Sequence, residues 1–430
     1  MVHFSLFSAA AGILAAASVV SSSPVSSNPN DQPRALIVPF VNKHAVARRS
    51  INYDPSELVK RDLRRVQERK ERAALKKRLG VDTVQVKRTA AALEPYHINI
   101  LRKALIKKRQ ASATDPLVNI YYGNMNIGTP AQTITINFDT GSSDLTVPTA
   151  DCTNCTAPFF DPSKSTSYVT TSVPFETSFG DGSTANGVIS TETVAIGSLS
   201  FSNQSFALIN QATADYDGPN AGLMGLAFEA NAHTKATPWF INLANQGALE
   251  SNVFSFYLSR KGADGSELCV GCLDPAKFTG EPEYFPLTPG DSTQNYWDIS
   301  AQGVTYNGNL VTTQPMTATI DSGTSLISIP PSQASAFYAN VPGAQAAADG
   351  KSWTFPCANV GPVGIMFSSS TVFNINPTQF ALNDGSDTCT GAIISSEAED
   401  GNAVVGDAFM STWYSIFDYG NMRVGFAQAV

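Results

Sequence analysis

The sequence predicts an all-β protein made of two copies of one β lobe, preceded by a basic segment of different character. After Arg109, short alternating stretches such as ITINF and VGIMF stand among many Gly, Ser, Thr and Asn residues, which is typical of short strands joined by turns. The segment INFDTGSSDLTVP (136–148) is similar to TIDSGTSLISIP (319–330), and each has an Asp nine residues before a Pro. At 430 residues, the chain is long enough for more than one core.

A second pair of matching segments follows the first at nearly the same distance. GLMGLAF (222–228) is similar to VVGDAF (404–409), so Gly225 follows Asp139 by 86 residues and Gly406 follows Asp321 by 85. Two matched pairs at such similar spacing indicate an internal duplication. We therefore expect two copies of one β lobe; if the lobes face each other through a pseudo-two-fold axis, the two Asp side chains meet at their interface.

Charge divides the chain near residue 109. Residues 31–109 hold 21 of the 28 Lys and Arg residues and 8 of the 36 Asp and Glu residues. The formal charge is therefore +13 before residue 110 and −21 after it, which indicates two functionally different parts. A basic segment could bind nucleic acid, but its dibasic pairs, ending at Lys107-Lys108-Arg109, favour a segment that is removed by processing.

The N-terminal part predicts a leader and a helix. The apolar run from Phe4 to Val20 is too short and too weakly flanked for a membrane span, and it indicates a signal peptide. Residues 54–79 read as a helix with Asp54 as N-cap. The expected domains are a signal peptide (1–22), a basic activation propeptide (23–109), an N-terminal lobe with a flap (110–283) and a C-terminal lobe (284–430).

Each repeat can supply one carboxylate to a shared site. The Asp stands at the end of an apolar strand and is followed by Thr-Gly or Ser-Gly, where Gly permits a tight turn and the hydroxyl can bond across to the other copy. Two carboxylates in contact cannot both ionise, so they share a proton. One is then a base that activates water and the other an acid that polarises a carbonyl, with no metal or cofactor. The alternative is that each D-[TS]-G is only a turn.

DTGSS (139–143) and DSGTS (321–325), with the segments around Gly225 and Gly406, resemble the pepsin family of aspartic endopeptidases, in particular its secreted fungal type. The resemblance covers residues 117–430. It implies a bilobal pepsin-like double β-barrel with the active-site cleft between the lobes, and catalysis by Asp139 and Asp321 in acid. Paired carboxylates that share one proton are a known property of this family.

The resemblance also implies supporting roles beside each catalytic Asp. Thr140 and Ser322 would each reach into the opposite lobe, and Ser142 and Thr324 would hydrogen-bond the outer carboxylate oxygens. Gly225 and Gly406 would sit behind the carboxylates and let the strands cross. The supporting residues are therefore Thr140, Gly141, Ser142, Ser322, Gly323 and Thr324.

The segment TSFGDGSTANGVISTETV (177–194) resembles the family's flap, a β-hairpin that closes over bound peptide. The residues assigned to the flap and to substrate binding are Phe179, Gly180, Asp181, Gly182 and Ser183. Phe179 and Thr146 replace a Tyr and a Trp that hydrogen-bond each other in the family, which implies a flap held by packing alone or a local repacking without consequence. In similar fungal members, an acid at the position of Asp181 admits Lys to the first pocket; otherwise Asp181 is a turn residue.

The six Cys residues all follow residue 109, which in a secreted chain predicts disulfides. The family pairs the positions of Cys357 and Cys389. Two C-x-x-C pairs, Cys152 with Cys155 and Cys269 with Cys272, could each close a short loop or hold zinc, although they lie more than a hundred residues apart. Asn154 and Asn203 stand in N-x-[ST] sequons, and Asn203 is the better acceptor because Asn154 adjoins a Cys.

Other catalytic systems lack the residues they need. Only His233 follows residue 109, with no nucleophile motif around it, and no phosphate-binding loop or HExxH segment occurs. The expected partners are peptide and protein substrates, with the propeptide as an intramolecular inhibitor. We expect no nucleic acid partner, no membrane anchor and a secreted monomer. The alternatives are a vacuolar acid protease and a pepsin-fold binding or inhibitor protein with weakened catalysis.

Overall fold

The computed structural model describes residues 35–39, 41–42, 59, 62–63, 121–155, 158–178, 183–213, 222–259, 265–290, 293–312, 314–383, 385–395 and 402–430. All of them belong to one compact unit, Pro33–Val430. The predicted signal peptide and most of the predicted helix at 54–79 lie outside the described residues; Val59, Asp62 and Leu63 have helical backbone. No helix in the described stretches is both long and apolar enough to cross a membrane.

Strands make up most of the described structure, which confirms the predicted all-β class. In chain order they are β1 Leu36–Pro39, β2 Val41–Asn42, β3 Tyr121–Ile127, β4 Gln132–Asp139, β5 Leu145–Thr153, β6 Val169–Ser178, β7 Thr184–Ile196, β8 Leu199–Ala212, β9 Leu223–Gly225, β10 Val253–Tyr257, β11 Glu267–Val270, β12 Phe278–Pro286, β13 Asp298–Tyr306, β14 Asn309–Leu310, β15 Met316–Ile320, β16 Ile327–Ile329, β17 Gln345–Ala346, β18 Trp353–Pro356, β19 Val363–Phe367, β20 Val372–Ile375, β21 Ala381–Asn383, β22 Thr388–Gly391, β23 Ile393–Ser395, β24 Asn402–Val405, β25 Trp413–Asp418 and β26 Arg423–Ala429.

Helices in the described stretches are short. The α-helices are α1 Trp239–Asn245, α2 Pro331–Tyr338, α3 Pro377–Phe380 and α4 Asp407–Met410, and 3₁₀ turns occur at Pro162–Lys164, Glu229–Asn231 and Cys357–Asn359. The longer two α-helices begin directly after a Pro or with one, since Pro is well suited to a helix start.

Two eight-stranded sheets carry the duplicated motif. The first has the order β2-β3-β4-β9-β5-β8-β7-β6, and the second runs β20-β19-β13-β15-β24-β16-β23 with β14 beside β13. In the first, β9 is parallel to β4 and antiparallel to β5. In the second, β24 is parallel to β15 and antiparallel to β16. The two copies therefore place their Asp-bearing strands in the same surroundings, as the repeat predicts.

A third sheet joins strands that are far apart in the sequence. Its order is β1-β11-β10-β25-β26-β12, and β1 pairs antiparallel with β11 so that Leu36 lies opposite Val270. β12 spans the predicted lobe boundary at 283/284. A smaller sheet, β17-β18-β22-β21, lies in the C-terminal part of the chain. The predicted propeptide thus contributes β1 to the same sheet as the last two strands of the chain, while its β2 belongs to the first sheet.

Aromatic side chains fill the core beneath the third sheet. Phe254 and Phe417 stack with their ring centroids 4.9 Å apart, and the ring of Trp297 packs edge-on against both. The indole N–H of Trp297 donates to the backbone oxygen of Leu226 at 2.9 Å, so this large buried ring leaves no polar atom unsatisfied. Leu226 follows the strand behind Asp139, and the core therefore extends directly to the candidate site.

The six cysteines form three disulfides, Cys152–Cys155, Cys269–Cys272 and Cys357–Cys389. Each C-x-x-C pair is thus bonded within itself, which is the first of the two alternatives left open by the sequence. The third bond links residues 32 apart and joins β22 to the residue that follows β18. By the chain-entropy estimate, a loop of this size stabilises the fold by about 4 kcal/mol.

Glu267 in β11 makes stability depend on pH. Burial raises the pKa of its carboxyl from 4.5 to about 6, although Lys277 lies 3.4 Å away and opposes the change. The raised pKa means that the charged carboxylate is disfavoured in the folded state. Below pH 4.5 the carboxyl is protonated in both the folded and the unfolded state, so Glu267 then costs no folding free energy. Its cost to folding grows as the pH rises to about 6 and then stays constant.

We therefore expect Glu267→Gln to raise the free energy of unfolding at pH 7 and to leave it nearly unchanged at pH 4. Urea denaturation at both pH values of the full chain carrying Asp139→Asn, which is expected to be unable to cleave itself, measures this difference. The exposed Glu281 in β12 offers a control, and Glu281→Gln should change neither value. An equal effect of Glu267→Gln at both pH values would mean that the ionised carboxylate is not what costs stability.

Candidate active site

Asp139 and Asp321 lie at the ends of equivalent strands. β4 ends at Asp139 and β15 ends one residue before Asp321. Apolar side chains bury the approach to each residue: Ile134, Ile136 and Phe138 in β4, and Met316, Ala318 and Ile320 in β15. Each strand thus carries its Asp into the interior, where the two residues are only 7% and 1% exposed.

Four reciprocal hydrogen bonds connect the two repeats beside these carboxylates. The Thr140 hydroxyl donates to the backbone oxygen of Ile320 at 2.9 Å and accepts from the Ser322 N–H at 2.9 Å. In the same way, the Ser322 hydroxyl donates to the backbone oxygen of Phe138 at 2.9 Å and accepts from the Thr140 N–H at 3.0 Å. All four groups are buried and fully paired, so the two Asp-bearing turns are locked to each other.

Each carboxylate is held in place by its own turn. The Gly141 N–H and the Ser142 hydroxyl donate to Asp139 at 2.8 and 2.7 Å. The Gly323 N–H donates to Asp321 at 2.9 Å, and the Thr324 hydroxyl donates to the other oxygen of that carboxylate. The two arrangements match atom for atom. Donors of this kind fix the orientation of a carboxylate.

The lack of space around Gly323 shows how closely the two repeats approach each other. A Cβ added at this position would lie 2.2 Å from Oδ1 and 2.6 Å from Cγ of Asp139. The carboxylate of Asp139 therefore rests on the backbone two residues after Asp321. This close contact brings the two acidic groups into one site, as the duplication predicts.

Gly225 and Gly406 lie directly behind the two turns. A Cβ at Gly225 would be 2.4 Å from backbone atoms of Ser143, and one at Gly406 would be 2.1 Å from the backbone oxygen of Thr324. Any side chain at either position would push the turn forward. Only glycine allows the strands to cross so closely behind the carboxylates.

Asp144 is a buried residue of the site region that the sequence analysis missed. Its carboxylate accepts from the backbone N–H groups of His233 and Thr234 at 2.7 and 2.9 Å, and from the Thr234 hydroxyl at 2.6 Å. Its backbone oxygen accepts from the Gly225 N–H at 3.0 Å. A difference between the two repeats could have identified Asp144, because the second copy has Leu326 at the equivalent position.

β6 and β7 form the predicted hairpin, which we call the β6–β7 hairpin. The last paired residues are Ser178 and Thr184, and Ser183 is buried at the end of the described part of the tip. Phe179, Gly180, Asp181 and Gly182 lie outside the described residues, so their roles stay predictions. Thr146 is buried in β5, between Ala207 of β8 and Leu223 of β9 in register.

The two sequon asparagines differ in their surroundings. Asn203 in β8 and Asn154 are both exposed and both have a positive φ, of 59° and 66°, but they differ in their contacts. The Asn154 side chain donates to the backbone oxygen of Ala212 at 3.3 Å, beside the Cys152–Cys155 bond. An oligosaccharide on Asn154 would require that contact to break, which is consistent with the preference for Asn203. Glycosylation at either position stays a prediction.

Comparison with known proteins identifies the family of this chain. The family model "Eukaryotic aspartyl protease" matches residues 120–429. An "Aspartic protease" of Phaffia rhodozyma is 35% identical over 73% of this chain and 77% of its own length. "Pepsin A" of Rhinolophus ferrumequinum is 32% identical over 78% of this chain and 89% of its own. "Embryonic pepsinogen" of Gallus gallus is 34% identical over 74% and 83%. The chain therefore belongs to the eukaryotic aspartyl proteases of the pepsin family and is a peptide hydrolase.

Proposed function

We propose that the protein is a secreted endopeptidase that cleaves proteins in acid, with Asp139 and Asp321 as its catalytic pair. The observation that carries this proposal is the matched pair of carboxylates, each held by two donors from its own turn and brought together by the Thr140–Ser322 bonds. The pairing of two acids leaves no role for a nucleophilic side chain. Water is then the attacking group.

In the proposed reaction, the ionised carboxylate takes a proton from water as the water oxygen attacks the peptide carbonyl carbon. The protonated carboxyl gives its proton to the carbonyl oxygen, and a tetrahedral intermediate forms. Proton transfer to the peptide nitrogen then allows the C–N bond to break, and the two products leave. The turns contribute by orientation, because four fixed donors keep both carboxylates in reactive positions throughout.

Residues 23–109 act, in this proposal, as an inhibitory pro-segment. β1 adds to the edge of β11, and Val59 and Leu63 are buried in the main hydrophobic core. The carboxylate of Asp62 accepts from the backbone N–H of Leu326 at 2.5 Å, five residues after Asp321. The similarity to a pepsinogen supports the same role.

Acid would release this segment by removing its charge attraction. The segment carries +13 and the remainder −21, and the attraction fades as Asp and Glu protonate near about pH 4. Cleavage near Lys108-Arg109 would complete activation. In this proposal Lys103, Lys107 or Lys108 lies close to the catalytic pair; all three are outside the described residues.

A binding or inhibitor protein is the main alternative. Intact Asp139 and Asp321 with all their hydrogen-bond partners favour the enzyme, because a protein that only binds peptide has no need of them. Secretion rests on the predicted signal peptide, and location in a vacuole is the alternative. The proposal further holds that the protein acts as a monomer and that Asp181 permits cleavage after Lys.

The pH dependence of activity tests the proposal. Hydrolysis needs one proton on the pair, and this proton leaves as the pH rises through the upper macroscopic pKa of the pair. We expect kcat/KM of the acid-activated protein on a synthetic peptide to fall steeply toward neutral pH. A profile that still rises between about pH 6 and 8 would contradict the shared-proton mechanism. Returning the neutral sample to acid and recovering activity controls for unfolding.

A further inference from the structure

The β6–β7 hairpin is attached on both sides of its base. On the β7 side, Thr184 exchanges two hydrogen bonds with Thr213, which follows β8. On the other side, β6 is the last strand of its sheet among the described residues, so its backbone groups that point away from β7 have no partner in a described strand. One of these is the carbonyl of Glu176, two residues before the last paired residue of the strand.

His233 contacts this free edge. Its Nδ1 lies 3.3 Å from the backbone oxygen of Glu176, and its ring packs at 6.4 Å from the ring of Phe175. A carbonyl oxygen can only accept, so Nδ1 is the donor. Acid favours the imidazolium form, which carries an N–H on both nitrogens and therefore always offers this donor.

The backbone around His233 is fixed by the catalytic turn. The N–H groups of His233 and Thr234 donate to the carboxylate of Asp144, five residues after Asp139. The segment 225–234 is anchored at both ends by Asp144, whose backbone oxygen accepts from Gly225 and whose side chain holds Thr234. A continuous chain of bonds thus runs from the catalytic turn to the edge of β6.

We propose that His233 is a positioning residue that ties the β6–β7 hairpin to the catalytic turn through Asp144. The link limits movement of the described part of the hairpin away from His233. Because the hairpin is already restricted before peptide binds, less ordering is needed on binding. This inference rests on the proposed peptidase activity, but the position of the hairpin can be measured without any substrate.

The test compares His233→Leu, which removes the donor and keeps an apolar side chain, with His233→Asn, whose amide can donate from nearly the same place. We expect His233→Leu to lower kcat/KM on a peptide by roughly fivefold to tenfold, mainly through a higher KM, since one hydrogen bond is lost. His233→Asn should recover most of this loss. Gln246→Leu is the matched control, because it removes a side-chain N–H that donates at 3.3 Å to a strand carbonyl, Ser200 in β8.

Hydrogen exchange at the backbone amides of β6 and β7 provides the second readout. We expect faster exchange at residues 176–178 and 184–186 in His233→Leu, and wild-type exchange there in His233→Asn and Gln246→Leu. Unchanged exchange in His233→Leu would overturn the inference, and so would equal impairment of His233→Leu and His233→Asn, since the ring would then only fill space. If the wild type does not cleave peptide, the proposed function fails while the exchange data still decide the role of His233.

Discussion

Asp139→Asn and Asp321→Asn should each abolish peptide hydrolysis while the protein remains folded. Each carboxylate has a task that its partner cannot perform, and an amide can neither take a proton from water nor donate one as an acid does. Loss of general acid–base catalysis costs on the order of 10⁴-fold in kcat. Single-turnover assays on the purified variants measure this loss, with circular dichroism and a thermal melt to verify the fold.

Asp161→Asn serves as the matched control for the two variants. Asp161 is in the same part of the chain as Asp139, but its carboxylate bonds only to Ser163 and Lys164 near the surface among the described contacts. We expect wild-type activity from it. Turnover above contamination in either folded Asp139→Asn or Asp321→Asn would rule out the two-carboxylate mechanism.

Gly323→Ala should reduce kcat by at least about 100-fold, even though both carboxylates remain in the chain. The added Cβ would lie 2.2 Å from Oδ1 of Asp139, where no atom can be accommodated. The carboxylate must move, and a displacement of about 1 Å is enough to cost that factor. Steady-state kinetics at acid pH measures the loss.

Gly420→Ala provides the comparison for this substitution. Its added Cβ would meet Asn252 at 3.4 Å, an ordinary van der Waals contact, so activity should be unchanged. Full activity in Gly323→Ala would mean that Asp139 does not occupy the observed position in the working enzyme.

The duplication was predictable because both copies keep the residues that geometry demands. Gly225 and Gly406 accept no side chain, and Thr140 and Ser322 need a hydroxyl to bond across the interface. Such requirements preserve the same short motifs in both halves of the sequence. Their matching spacing then indicates that equivalent strands carry the Asp-bearing turn in each copy.

The third sheet could not be predicted from the sequence pattern. Its neighbours are far apart along the chain, as the pairing of Leu36 with Val270 illustrates, and strand periodicity carries no information about partners. β12 likewise crosses the predicted lobe boundary. Its pairing with β26 is set by packing, and no change in amino-acid composition marks it in the sequence.

The contact between His233 and β6 was also invisible in the sequence. It depends on the carbonyl of Glu176 at the edge of β6 and on the backbone N–H groups held by Asp144, and backbone groups have no residue signature. A single histidine without a nearby nucleophile suggested only that a Ser–His or Cys–His system was absent. Its position beside the hairpin emerged only from the three-dimensional contacts.

The acid-treated chain should hydrolyse proteins through its paired carboxylates. The most direct measurement is to incubate the acid-treated full chain with a denatured protein at about pH 4, with and without pepstatin, and to follow new N-termini. Our account predicts cleavage that pepstatin abolishes. A folded, acid-treated chain that binds pepstatin but releases no peptides would contradict it and favour a binding protein, and cleavage that pepstatin leaves unchanged would contradict the site.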